Sequence, residues 1–162
     1  MTEKHRAIGI KPEQYPLVGE TLLHAVKDVL GDTATEEVLG AWKKAYNEIA
    51  KAFIDIEQKL YQETEQLPGG WRGYRSFHVD QKVKESNLIT SFYLKPEDGK
   101  PIASYQAGQY LTLKAEIKGE AYTHIRHYSL SDAPGKDDYR ISVKREDAHG
   151  DAPAGIVSSY FT

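Results

Sequence analysis

The chain has 162 residues, with 21 Lys+Arg against 24 Asp+Glu and a formal net charge of −3. That length suits one domain or two small ones, the charge balance excludes a basic nucleic-acid footprint, and no stretch approaches the roughly 18 apolar residues of a membrane helix. Cysteine is absent and the single methionine is Met1, so disulfides, thiolate-held haem, iron–sulfur clusters and a cysteine nucleophile are excluded, and any metal must be held by histidine or carboxylate. The polar opening, Met1 to Arg6, predicts no signal peptide; with the missing cysteine it fits a reducing, cytoplasmic compartment.

From about Pro12 to Gln66 the pattern is helical. Val18, Leu22, Val26, Val29 and Leu30 mark one stripe of period 3.6. Gly31-Asp32 breaks it, and Thr33 or Thr35 can cap the next helix, with Glu36 and Glu37 in its first turn. A second stripe runs through Val38, Ala41, Trp42, Ala45, Ile49, Ala52, Phe53, Ile56 and Leu60, with no Gly or Pro between Ala41 and Leu67. The two stripes predict a helical hairpin.

At Leu67-Pro68-Gly69-Gly70 the character changes to a breaker-rich linker. Strand candidates follow at Phe77–Val79, Leu88–Leu94, Tyr110–Leu113, His127–Leu130 and Tyr139–Val143. Turn signals at Asp98-Gly99, Ala107-Gly108, Lys118-Gly119 and Pro134-Gly135 separate them. Short strands at this spacing predict an all-β barrel or sandwich, so the fold class is α+β in two parts.

In the helical part, His5 alone reads as a solvated histidine near a terminus and Tyr15 as an amphipathic rim residue. Glu57 lies along the edge of the apolar stripe, four residues after Phe53, where a carboxylate needs a partner. Read together, Lys4-His5 through Ile10-Lys11-Pro12-Glu13-x-Tyr15-x-x-Val18-Gly19-Glu20-x-Leu22-Leu23, with Ala41-Trp42-x-x-Ala45-Tyr46 and Phe53-Ile54-x-x-Glu57, resemble the proximal side of the haem pocket in bacterial flavohaemoglobins. The resemblance implies that His5 is the proximal ligand to haem b iron. It implies that Tyr15 and Glu57 are the catalytic pair around it. A carboxylate accepting a hydrogen bond from the second imidazole nitrogen makes the histidine a stronger donor, which favours O–O activation over O2 storage.

In the β part the sharpest signal is Arg126-His127-Tyr128-Ser129-Leu130-Ser131. By itself it is an ordinary strand with a polar face. With Ala107-Gly108-Gln109-Tyr110 upstream, and Tyr139 to Arg145 and Gly155-Ile156-Val157-Ser158 downstream, it resembles the FAD-binding barrel of the ferredoxin–NADP reductase superfamily. That resemblance implies a six-stranded antiparallel barrel. Alternation puts Arg126 and Tyr128 on one strand face. Arg126 can fork onto a phosphate, Tyr128 can lie against the isoalloxazine, and Ser129 can hydrogen-bond the ring edge. Tyr110 would serve the adenine or ribitol side. His127 falls on the opposite face from Tyr128 and is assigned backbone contact only. Gly155, Val157 and Ser158 resemble the turn and helix start that receive the pyrophosphate. His24, His78, His124 and His149 are assigned to the surface, and Glu146-Asp147 to a solvated turn.

The two resemblances together imply a partial globin over residues 1–62, a linker over 63–71, and an FAD-binding barrel over 72–162. The distal globin wall and the nicotinamide domain would lie outside the chain. In the complete family, NAD(P)H reduces FAD, electrons pass to haem, and nitric oxide and O2 become nitrate in nitrosative-stress detoxification. The expected partners are O2, nitric oxide and NAD(P)H, with no nucleic acid, no membrane span, and no NAD(P)H turnover from this chain alone. Self-association through Val18, Leu22, Val26 and Trp42 is a further expectation. The competing readings are an FAD-binding reductase-type module without haem, and a helical hairpin on a barrel with no cofactor.

Overall fold

The structure is a computed structural model and describes residues 2–162, with side chains from Lys4 onward. It forms two compact units, Met1–Glu63 and Thr64–Thr162. The first contains α1 (Thr2–Ile8), α2 (Tyr15–Leu30) and most of α3 (Glu36–Gln66). Among the described residues no helix is long and apolar enough to cross a membrane.

Three helix boundaries have a local cause. Pro12 opens a short 3-10 turn before Tyr15, where its missing N–H costs nothing. Gly31, at φ 54°, ends α2 in a conformation that favours glycine. Thr35 then caps α3: its hydroxyl accepts from Val38 N–H at 3.3 Å. The helices meet where α2 lacks a side chain. A Cβ at Gly19 would lie 2.6 Å from the Tyr46 ring, and that close approach lets the Tyr46 hydroxyl donate to the Tyr15 carbonyl at 2.6 Å. The α2 stripe is only partly covered: Val18, Val29 and Trp42 of α3 are exposed, and Leu22 and Val26 are half-buried.

The second unit holds β1 (Phe77–Lys84), β2 (Ile89–Pro96), β3 (Tyr110–Ala115), β4 (His124–Ser129), β5 (Tyr139–Lys144) and α4 (Ile156–Phe161). The strands form an antiparallel three-stranded sheet β1-β2-β5 and a β3-β4 hairpin. The core is read from alternation on β2 and β5. Phe92 and Leu94 of β2 and Tyr139, Ile141 and Val143 of β5 are buried, with Trp71, Phe77, Leu111, Leu113, Tyr128 and Phe161 packed around them. The opposite faces carry Ser91 and Ser142, whose hydroxyls meet at 2.9 Å. A bulge at Asp80 shifts the β1 register between Val79 and Gln81.

The α+β class holds, but the six-stranded closed barrel does not. Among the described residues five strands form two small sheets, joined where Leu130 bridges Ile141 and Ser131 N–H donates to Arg140 O. Backbone carbonyls flanking the β1-β2 hairpin are taken by a side chain. Arg75 donates to Gly69 O at 3.4 Å, Pro101 O at 3.0 Å and Lys100 O at 2.9 Å. It also forks onto Asp98 at 2.5 and 3.2 Å. Helix α3 runs through Gln66, into the segment assigned to a linker, and Trp71 at its far end stacks on Phe77 and Tyr139.

Candidate functional site

Two constellations stand out, one in each unit. In the helical unit, α1 presents His5, the first turn of α2 presents Tyr15, and the middle of α3 presents Glu57. His5 Nδ1 lies 3.0 Å from the Tyr15 hydroxyl and 3.0 Å from Glu57 Oε1, and the Tyr15 hydroxyl donates to the same oxygen at 2.6 Å. Glu57 is 3% exposed and Tyr15 7%. A buried carboxylate with two donors converging on one oxygen is satisfied rather than stranded. Burial, and then the hydrogen bond to Glu57, push the Tyr15 phenol well above its ordinary value, so it stays protonated as a donor. The Phe53 ring packs edge-on against His5 at 5.8 Å, and Ile10 N–H holds the His5 carbonyl at 2.9 Å.

The imidazole is therefore fixed at Nδ1, while Nε2 takes no partner among the described residues. That is the donor arrangement a single axial ligand needs: one nitrogen oriented by a carboxylate, the other free. Among the described residues no three His, Asp or Glu side chains gather as a metal cluster. The set fits an iron whose remaining positions are filled by a macrocycle, not a bare ion.

In the second unit, β4 pairs with β3 along one edge and with β5 only through the Leu130 bridge, so its other edge is open. An open edge offers backbone groups to a ligand and is flanked by side chains of both faces. On the inner face Tyr128 packs edge-on against Phe161 at 6.1 Å, and burial raises its phenol. Arg126 shares that face but is exposed. Its Nη1 donates to the Ile125 carbonyl at 2.8 Å, and it forms no ion pair among the described residues, which leaves the guanidinium available to an anion. On the outer face stand Tyr110, His127 and Ser129, with Tyr110 directly opposite Ser129. Gly155 leads into α4. A Cβ there would meet the Ser158 hydroxyl at 2.6 Å, and that hydroxyl already accepts from Glu146 N–H and donates to Gly155 O. Val157 is buried.

Comparison with known proteins finds relatives that span both units. Residues 1–53 match the family model described as Globin. The chain is 60% identical over 160 residues to a flavohemoprotein of Halalkalibacterium halodurans, covering 99% of this chain and 39% of that protein. It is 57% identical to flavohemoprotein A of Dictyostelium discoideum, covering 99% and 41%. The fold superposes on a flavohemoglobin of Malassezia yamatoensis determined with bound FAD and heme, with a TM-score of 0.75 and 27% identity over 92% of this chain and 37% of that one. It also superposes on the FAD/NAD-binding domain of a nitric oxide dioxygenase from Vibrio cholerae, with a TM-score of 0.51 and 47% identity over 56% and 38%. Along nearly its whole length the chain is similar to flavohaemoglobins. It spans about two-fifths of the length of the curated relatives it matches.

Within this chain the residues singled out from sequence fall into three places. His5, Tyr15 and Glu57 converge on shared hydrogen bonds. Tyr110, Arg126, His127, Tyr128 and Ser129 lie on one hairpin but divide between its two faces. Gly155, Val157 and Ser158 form the start of α4, where the serine serves the protein's own backbone. Sequence reasoning quoted Tyr46 and Phe53 only as part of the motif, without a supporting role, and missed Thr112. The signal for Thr112 is its position two residues after Tyr110, on the same strand face. His124 is not a free surface histidine: it meets Glu120 at 3.3 Å.

Proposed function

We propose that this chain contributes the proximal side of a haem site and the flavin-binding β unit of a cytoplasmic, NAD(P)H-dependent nitric oxide dioxygenase. The reaction joins nitric oxide and O2 into nitrate with the uptake of one electron. The observation that carries the reading is the His5–Tyr15–Glu57 convergence with His5 Nε2 left free. Haem would supply the O2-binding iron and FAD would relay reducing equivalents. The chain's own residues orient and tune: Glu57 holds Nδ1 of His5 and raises the basicity of Nε2, and Tyr15, kept protonated, locks the carboxylate in place. Arg126 would neutralise a phosphate of FAD, and Ser129 would meet the flavin edge from the open side of β4.

The absorption spectrum of the chain supplied with haem and FAD tests this. A Soret band that is lost in His5→Ala supports haem ligation. No Soret band overturns it. Flavin bands without a Soret band favour the second reading, an FAD-binding module, which the open β4 edge and the available Arg126 support independently.

A further inference from the structure

The side chain of His127 has no role in the flavin reading above, yet, though exposed, it is held by a hydrogen bond and a ring contact. The β3-β4 register places Thr112 opposite His127 and Tyr110 opposite Ser129, so these four residues share the face turned away from the core. Thr112 Oγ1 and His127 Nδ1 are 2.9 Å apart. The His127 ring meets the Tyr110 ring at 5.0 Å between centroids and 63° between planes. Tyr110 is 38% exposed, and its hydroxyl makes no hydrogen bond among the described residues. Two exposed aromatic rings that contribute nothing to a core are thus held in one geometry, one by a hydrogen bond and the other by an edge contact.

We propose that His127 is a positioning residue of the flavin site: fixed by Thr112, it holds Tyr110 as a prearranged surface for the isoalloxazine end of FAD. The proposal rests on the flavin reading and sharpens it. Directly opposed residues have Cβ atoms roughly 5 Å apart, so Tyr110 and Ser129 serve the same part of a ligand. If Ser129 meets the isoalloxazine edge, Tyr110 lies beside that ring and not at the adenine. Ordering Tyr110 before the ligand arrives removes part of the entropy that binding would otherwise consume, and an edge contact between rings is of the strength to do so.

Titration of the chain with FAD and with FMN, followed by flavin fluorescence, tests this. FMN shares the isoalloxazine and lacks the adenine. In His127→Ala both ligands should weaken by about three- to tenfold, with brighter bound flavin because Tyr110 no longer lies fixed against it. His127→Phe, which keeps an aromatic edge, should restore FAD affinity to within about twofold of the unaltered chain. Thr112→Val should fall between them. An unchanged affinity in His127→Ala overturns the proposal, as does His127→Phe binding as weakly as His127→Ala. Weakening toward FAD alone also overturns it, by moving the platform to the adenine. Retained FAD binding in each of those cases leaves the flavin reading standing, whereas an unaltered chain that takes up neither ligand ends both.

Discussion

Glu57→Gln is the most informative substitution because it removes a charge and almost no volume. In the structure Glu57 Oε1 receives two donors, the Tyr15 hydroxyl at 2.6 Å and His5 Nδ1 at 3.0 Å, at a position 3% exposed. Hydrogen bonds to a charged acceptor are worth about 1.5–3 kcal/mol and those to a neutral one about 0.5–1.5. Each donor therefore loses about 1 kcal/mol, and the helical unit should lose about 2 kcal/mol in all. Relief of a desolvated charge acts the other way, but two donors on one oxygen leave little of that penalty uncompensated. Glu57→Leu strands both donors and should cost about twice as much. Urea unfolding followed by ellipticity at 222 nm reads the helical unit selectively, since α1, α2 and α3 contain nearly all of the helix. The expected result is a midpoint lower by about 1 M at an unchanged slope. A Glu57→Gln chain as stable as the unaltered one, or more stable, refutes the view that this carboxylate organises the site.

Three other outcomes are expected. Gly19→Ala should destabilise by about 1–3 kcal/mol, against the gain of about 1 that alanine normally gives inside a helix, because its methyl would sit 2.6 Å from the Tyr46 ring; thermal melting reads the sign directly. Arg126→Ala should weaken FAD binding by about ten- to a hundredfold, the worth of a charge-assisted phosphate contact, and unchanged affinity in a fluorescence titration removes the phosphate assignment. The Tyr139 phenol, buried in the core, is pushed up to about 12. Its folded value lies above its unfolded value near 10, so its contribution is complete below pH 10 and disappears as pH rises towards 12. A chemical-denaturation series across that range should show a loss of about 2–3 kcal/mol that is absent in Tyr139→Phe.

Much of the local structure is legible in the sequence because it depends on local causes. The Gly31-Asp32 break, the Thr35 cap and the alternation of β2 and β5 all follow from residues within a few positions of one another. β1 is longer than its three apolar-looking residues suggest. It lies at the edge of its sheet, where Asp80, Lys82 and Lys84 can face water and no hydrophobic alternation is required. β4 begins three residues earlier than expected because His124 finds a partner in Ala115. The site is legible unevenly. Periodicity places Glu57 at the edge of a stripe and goes no further, since its partners stand 52 and 42 residues away; the family resemblance supplied the grouping. The Thr112–His127 contact depends on strand register, which a single sequence does not specify. The expected barrel closure also depends on pairing between distant strands, and among the described residues the strands form two small sheets.

Arg75 has a consequence for how the β unit is fastened. Arg75 and Asp98 stand 23 residues apart, just outside the two ends of the β1-β2 hairpin, so their fork clasps its open base. The chain has no cysteine with which to make such a link covalently. A guanidinium stays charged throughout the range in which proteins live, and neither a reductant nor an oxidant acts on it. The clasp is therefore a cross-link indifferent to redox state, in a protein whose proposed work is to pass electrons through its neighbourhood.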